Sequence, residues 1–132
     1  TSFSMIRSGR LISIMGGLQV SEKGDLANWN PGSGISGGTL GGGMDLAGGA
    51  QRVIITMEHT TKSGQPKIVR ECTYPLTARE CVDLVVTDLA VIEVTPRGLV
   101  LREVAPGWTA EEVQASTDPT LIVDPDLKEI EL

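Results

Sequence analysis

The chain has 132 residues, 40% of them hydrophobic and 21% charged, ordinary values for one globular domain with room for a real core. A net charge of −6 and an aromatic share of 3% argue against a nucleic-acid-backbone binder and a base-stacking platform, which need surplus Lys and Arg or many aromatic rings. No apolar run reaches the roughly eighteen residues of a membrane span, and the N-terminal Thr1-Ser-Phe-Ser-Met5 has no basic-then-apolar leader pattern.

Ser2 to Ser8 is predicted as the end of a helix, with Phe3 and Ile6 three residues apart. Arg10 to Val20 is mostly apolar and predicts a strand, in which Gly16-Gly17 signals a bulge or a close backbone approach. Nine of the sixteen glycines then fall between Gly32 and Gly49. Glycine gives up the most backbone entropy on folding, so such density marks tight turns or a backbone that something must approach. Met44 to Ala47 predicts a short helix with Asp45 in its first turn, where a negative charge suits the dipole. Gln51 to Glu58 is the clearest strand, because Val53, Ile54 and Ile55 are consecutive, as in a strand covered on both faces.

Thr60 to Gln65 is a polar turn, and Lys67 to Cys72 resumes an extended pattern. Thr77-Ala-Arg-Glu80 has the form of a capping box and predicts a helix carrying Val82, Val85 and Val86. Leu89 to Val94 and Leu99 to Ala105 predict two strands joined by a tight turn, Thr95-Pro-Arg-Gly98. Thr109-Ala-Glu-Glu112 is a second capping box and begins the last helix. Leu121 to Val123 predicts a short strand, and the polar tail 124–132 a loose end. Strands and helices alternate first and a hairpin follows. That order predicts one α/β unit, a three-layer-type sandwich with a mixed, largely parallel sheet.

Several patterns bear on chemistry. Gly32-Ser-Gly34-Ile-Ser-Gly37 matches the dinucleotide fingerprint, with Glu58 about twenty residues on. Its context argues against that use: Asn28-Trp29-Asn30-Pro31 precedes it, and Gly38, Gly41, Gly42 and Gly43 would break the helix that must follow. His59 is the only histidine, and without partner ligands it reads as a hydrogen-bonded structural residue rather than a metal ligand. Glu58 reads as a strand-end acceptor for backbone N–H groups. Cys72 and Cys81, nine residues apart, fit two reduced, mostly buried thiols and not a redox or zinc pair. Trp29 and Trp108 read as core or interface residues. Two readings stand side by side for Gly41-Gly42-Gly43-Met44-Asp45: backbone amides that stabilise a thioester oxyanion or a phosphate, or tight packing of a helix on a strand.

Six stretches resemble, in order, the B subunit of 3-oxoacid CoA-transferases. They are Ser2-Phe-Ser-Met-Ile-Arg7, Gln19-Val-Ser-Glu-Lys-Gly-Asp-Leu-Ala-Asn-Trp29, Gly41-Gly42-Gly43-Met44-Asp45-Leu46, Met57-Glu-His-Thr60, Cys72-Thr-Tyr-Pro-Leu-Thr77 and Thr87-Asp-Leu-Ala-Val91. The resemblance runs from Ser2 to about Thr117, and the mitochondrial succinyl-CoA:3-ketoacid enzymes carry the same half fused to an A-type half. It implies transfer of CoA between an acyl-CoA and a carboxylate through a glutamyl-CoA thioester, a form of covalent carboxylate catalysis. Coenzyme A is then a substrate, and no permanently bound cofactor or metal is expected.

The family's nucleophile sits in a Glu-Asn-Gly motif upstream of the stretch matching Ser2 to Arg7, and no glutamate here is followed by Asn-Gly. The resemblance therefore implies the C-terminal portion of a B-type subunit over 1–132, inactive alone and with no catalytic residue of its own. Its implied partners are an A-type subunit and the N-terminal part of the B-type one, in an oligomer that binds neither nucleic acid nor membrane. Gly41, Gly42 and Gly43, with Asn28, are the residues expected to line the CoA and acyl pocket. The chain departs from the family between Asn30 and Gly43, where the loop is longer and Thr39-Leu-Gly-Gly-Gly-Met-Asp45 replaces a Gly-Met-Gly-Gly-Ala-Met-Asp step. The expected compartment is the cytoplasm, or the mitochondrial matrix in a eukaryote, with a role of the ketone-body type. The competing reading is a non-catalytic remnant or interaction module without the glutamate; an acyl-CoA hydrolase of the same superfamily is a further one.

Overall fold

The computed structural model describes residues 12–27 and 52–130. Nine strands and one helix follow in chain order: β1 Ile12–Gly16, β2 Gln19–Ser21, β3 Leu26–Ala27, β4 Arg52–Thr56, β5 Ile68–Val69, β6 Leu84–Val86, β7 Ala90–Thr95, β8 Gly98–Val104, α1 Ala110–Ala115 and β9 Ile122–Glu129. Six strands form one sheet in the order β1-β4-β6-β7-β8-β9, and β3-β2-β5 form a second, smaller one. In the large sheet β1, β4 and β6 run parallel, β6-β7 and β7-β8 are antiparallel, and β9 lies parallel to β8. The fold is α/β with a mixed sheet, as the sequence pattern predicts.

Burial follows the strand period of two. Val53 and Ile55 of β4 face the main core with Val85, Ile92, Leu99 and Leu101, where the small sheet contributes Val20, Leu26 and Ile68, and α1 contributes Val113. Ile54 faces the other way and clusters with Leu84 and Val91. All three consecutive residues of β4 are buried, at 2%, 5% and 0% exposure, so the strand is covered on both faces. The β7–β8 hairpin closes with Thr95 paired to Gly98, whose φ of +128° is open to glycine and strained for other residues. Thr109 caps α1 with both halves of the capping box in place.

Three expectations are corrected. Thr77-Ala-Arg-Glu80 starts no helix: the Thr77 N–H donates to the Leu26 carbonyl, and the N–H groups of Cys81 and Val82 both donate to Gly24. Donors that a helix would need are committed to the β2–β3 segment, Glu80 sits at φ +47°, and the Val-rich run becomes β6. The apolar stretch to Val20 is two strands, since Gly17 and Leu18 turn the chain from β1 into β2 of the other sheet. The tail is ordered through Glu129, because β9 continues past Val123 and pairs Lys128 with Glu103 and Glu129 with Val104. The helices predicted at 2–8 and 44–47 lie outside the described residues.

Candidate functional site

Parallel strands align their carboxyl ends, and in α/β sheets ligands bind beyond those ends. Here the ends are Gly16, Thr56 and Val86, followed by Gly17-Leu18, Met57-Glu58-His59 and Thr87-Asp88. A Cβ placed on Gly17 would lie 2.7 Å from Ile55 Cγ2 and 3.3 Å from Leu26 Cδ1, so the backbone rests directly on β4. This is the close approach that Gly16-Gly17 predicts. The Leu18 N–H donates to the Ala27 carbonyl at 2.9 Å and brings the end of β3 to the same rim. The chain therefore leaves the rim at Ala27 and re-enters the sheet at Arg52, which pairs with Ile12 at the opposite end of β1. Asn28, the next residue along, and Gly41, Gly42 and Gly43 belong to the intervening segment and lie outside the described residues, as does Trp29.

His59 organises the described part of the rim. It is fully buried, with Nδ1 2.8 Å from Thr87 Oγ1 and Nε2 2.7 Å from Thr117 Oγ1. The hydroxyls fix the tautomer. Thr117 donates to the Val113 carbonyl at 2.7 Å, so its oxygen accepts from Nε2–H. Thr87 Oγ1 already accepts the Leu89 and Ala90 N–H groups, so its proton goes to Nδ1 at 2.8 Å in preference to the Ala90 carbonyl at 3.4 Å. An imidazolium would set a proton on Nδ1 against an oxygen with no lone pair left. Burial accordingly lowers the His59 pKa to about 4, against an opposing pull from Asp88. Asp88 itself accepts the His59 N–H at 2.8 Å. Glu58, expected to accept backbone N–H groups here, is exposed, and Asp88 takes that role.

A cleft of about 560 Å³ opens beside this rim, lined by Gln19, the Thr61–Lys67 turn, Thr73, Tyr74 and Asp118. Its walls are held by their own hydrogen bonds. Gln19 Oε1 accepts the N–H groups of Thr73 and Tyr74 at 2.8 and 3.1 Å, and its Nε2 donates to Thr73 Oγ1 at 2.9 Å. The Thr61 hydroxyl accepts the Gln65 N–H, and Asp118 accepts the Arg70 N–H. Another cleft, of about 490 Å³, lies at the amino end of β6, where Glu22, Lys23, Glu80 and Arg97 mix both signs of charge. The first is the better candidate because Lys67 on its wall donates its backbone N–H to the His59 carbonyl at 3.1 Å, just beyond the carboxyl end of β4.

Among the described residues the rim supplies rigid backbone placement, and its buried histidine has both nitrogens committed. No group of three or more His, Cys, Asp or Glu side chains there is placed to hold a metal ion. Cys72 is half-buried and Cys81 buried, both are free thiols, and burial raises each pKa to about 11. Trp108 is 37% exposed, beside the start of α1. Sequence reasoning missed Gln19, Thr87 and Thr117 as the partners that fix the rim. The one local signal was a polar Gln19 inside an apolar run.

The chain is similar throughout to known proteins. Residues 1–116 match the model of the coenzyme A transferase family. The chain is 51% identical over 122 residues to the B subunit of 3-oxoadipate CoA-transferase from Pseudomonas putida, covering 92% of this chain and 57% of that one. It is 47% identical over 131 residues to mitochondrial succinyl-CoA:3-ketoacid coenzyme A transferase 2B of Mus musculus, covering 96% and 25%. The chain thus spans about half the length of the curated bacterial relatives it matches. An acyl-CoA transferase of Escherichia coli O157:H7, solved as a thioester complex with CoA, shares the fold at a TM-score of 0.76 and 22% identity, over 91% of this chain and 28% of that one. No helix among the described residues is long and apolar enough to cross a membrane.

Proposed function

The chain belongs to the coenzyme A transferase family, and on that premise we propose that it forms the C-terminal portion of a B-type subunit of a 3-oxoacid CoA-transferase. It acts with an A-type subunit and with the N-terminal part of the B-type one, which brings the nucleophilic glutamate. The observation that carries this reading is the 51% identity over 122 residues to the B subunit of a 3-oxoadipate CoA-transferase. What supports it in the structure is that Ala27, the last described residue before the glycine-rich stretch of the sequence, is hydrogen-bonded to Leu18 at the rim where β1, β4 and β6 end.

The reaction balances in four steps. A glutamate carboxylate oxygen attacks the thioester carbonyl of an acyl-CoA of the succinyl-CoA type, and the C–S bond breaks to give a mixed anhydride and CoA thiolate. The thiolate attacks the glutamyl carbonyl, expels the donor carboxylate and leaves a glutamyl-CoA thioester. A 3-oxoacid or short-chain carboxylate attacks that thioester and releases the thiolate again. The thiolate then attacks the acceptor's carbonyl, which yields the new acyl-CoA and the free glutamate. Negative charge gathers on a carbonyl oxygen at every step, so a pair of backbone N–H donors preorganised beside it is the most useful catalytic element this chain can supply. Gly41, Gly42 and Gly43 are proposed for that place, with Asn28 lining the pocket.

The test is Gly42→Val in the assembled enzyme. Transfer of CoA from succinyl-CoA to acetoacetate is expected to be lost while assembly persists. Unchanged steady-state kinetics would remove the pocket assignment.

A further inference from the structure

The hydrogen bonds of His59 form a closed circuit across the ends of two neighbouring parallel strands. Its ring Nδ1 accepts from the Thr87 hydroxyl at 2.8 Å, and its backbone N–H donates to the Asp88 carboxylate at 2.8 Å. Thr87 and Asp88 directly follow β6, and His59 lies just beyond β4, so two consecutive residues at one strand end hold one residue at the other. Between them the Met57 N–H donates to the Val86 carbonyl at 3.1 Å, just past the last strand pair, Thr56 with Val86. The Thr87 oxygen also accepts the Leu89 and Ala90 N–H groups at 3.0 and 3.1 Å, which holds the turn into β7. The other ring nitrogen stands outside this circuit: Nε2–H donates to Thr117, which follows α1.

Stability alone does not call for such a circuit, because apolar groups of the same shape can replace a hydrogen-bonded set at little cost. Hydrogen bonds add direction, and here they fix the separation and angle of two strand ends. Ligands of α/β sheets bind beyond such ends, and a misplacement of about 1 Å can lower a rate by about a hundredfold. We propose that His59 is a positioning residue for CoA transfer: through the Thr87 hydroxyl, its imidazole sets the spacing of the β4 and β6 ends at the transfer site. The inference rests on the reading of the chain as part of a CoA-transferase. It assigns unequal roles to the two threonines. Without the Thr87 hydroxyl, Nδ1 and the Leu89 and Ala90 N–H groups all lose their partner, and the turn that carries Asp88 is released. Without the Thr117 hydroxyl, Nε2–H loses its acceptor while the Thr87 and Asp88 bonds remain.

The test uses the assembled enzyme, with succinyl-CoA and acetoacetate as substrates. Thr87→Val is expected to lower kcat by about tenfold or more while the KM for succinyl-CoA stays within about twofold. Thr87→Ser keeps the hydroxyl and should hold kcat within about threefold of the parent enzyme. Thr117→Val should lower the melting temperature yet leave kcat within about threefold. Amide exchange at Leu89 and Ala90 should quicken in Thr87→Val and not in Thr117→Val. A valine variant that fails to assemble is replaced by the cysteine variant at the same position, since a thiol is a weak donor and acceptor; for Thr87→Cys a loss of about fivefold in kcat is expected. Equal changes of kcat at the two positions, a loss confined to KM, no rescue by serine, or exchange that quickens equally in both would overturn the positioning role alone. A parent assembly that transfers no CoA would overturn the proposed function, and the positioning role with it.

Discussion

The β1-β4-β6 half of the large sheet and the β7-β8-β9 half are held by different kinds of polar contact. At the carboxyl ends of β1, β4 and β6, the polar groups are buried and locked to one another: His59 between Thr87 and Thr117, Asp88 on the His59 N–H, Gln19 on two consecutive N–H groups. Across β7, β8 and β9 the salient contact is an ion-pair cluster at the surface, Arg102 with Glu93 at 2.7 Å and with Asp124 at 2.9 Å. Buried polar networks cost dearly when one member is lost, whereas exposed ion pairs contribute little. The rim is therefore where small changes should unsettle both stability and chemistry.

The largest effect expected is that of His59→Phe. The ring still fills the site, but two buried hydroxyls lose a partner, so unfolding in denaturant should show a loss of about 3 kcal/mol. A cost no greater than that of a surface substitution would contradict the clamp.

The pH dependence sharpens the same point. The folded pKa of His59 lies below its usual 6.5, at about 4, so between these values the unfolded chain binds the extra proton. Stability should be full above about pH 6.5, fall as the pH drops toward 4 by up to about 3 kcal/mol from this residue, and lose nothing further from it below that. In His59→Phe that part of the slope should vanish; an unchanged slope would assign the acid sensitivity elsewhere.

Gln19→Leu should cost about 2 kcal/mol, because Thr73 and Tyr74 would lose a part-buried acceptor. Hydrogen exchange at those two amides should rise more than at other sites. Arg102→Ala comes last: its side chain is 39% exposed and its partners can be solvated, so a loss below about 1 kcal/mol is expected. A larger loss there than at Gln19 would reverse the comparison.

How much of this is legible in the sequence depends on how local the decisive contact is. Val53-Ile54-Ile55, the Thr95–Gly98 turn and the Thr109 capping box can be read because residues a few positions apart determine them. Thr77-Ala-Arg-Glu80 carries the same capping signature as Thr109 to Glu112 and forms no helix, since its donors are taken by Leu26 and Gly24, more than fifty residues earlier. The same distance hides the rim: Thr87 lies 28 residues from His59 and Thr117 lies 58. β9 reads short in the sequence because its polar residues signal a loose tail when its pairing with β8 is unseen. Family membership is legible through six ordered stretches, while Asn28 and Gly41 to Gly43 lie outside the described residues.

The most direct measurement is the intact mass of the assembled protein, this chain with its A-type partner and the glutamate-bearing part of the B-type subunit, after incubation with succinyl-CoA. The account predicts that the glutamate-bearing polypeptide gains one CoA less one water and loses it again on addition of acetoacetate. An assembled protein that never acquires that mass would contradict the account and leave a non-catalytic module in its place.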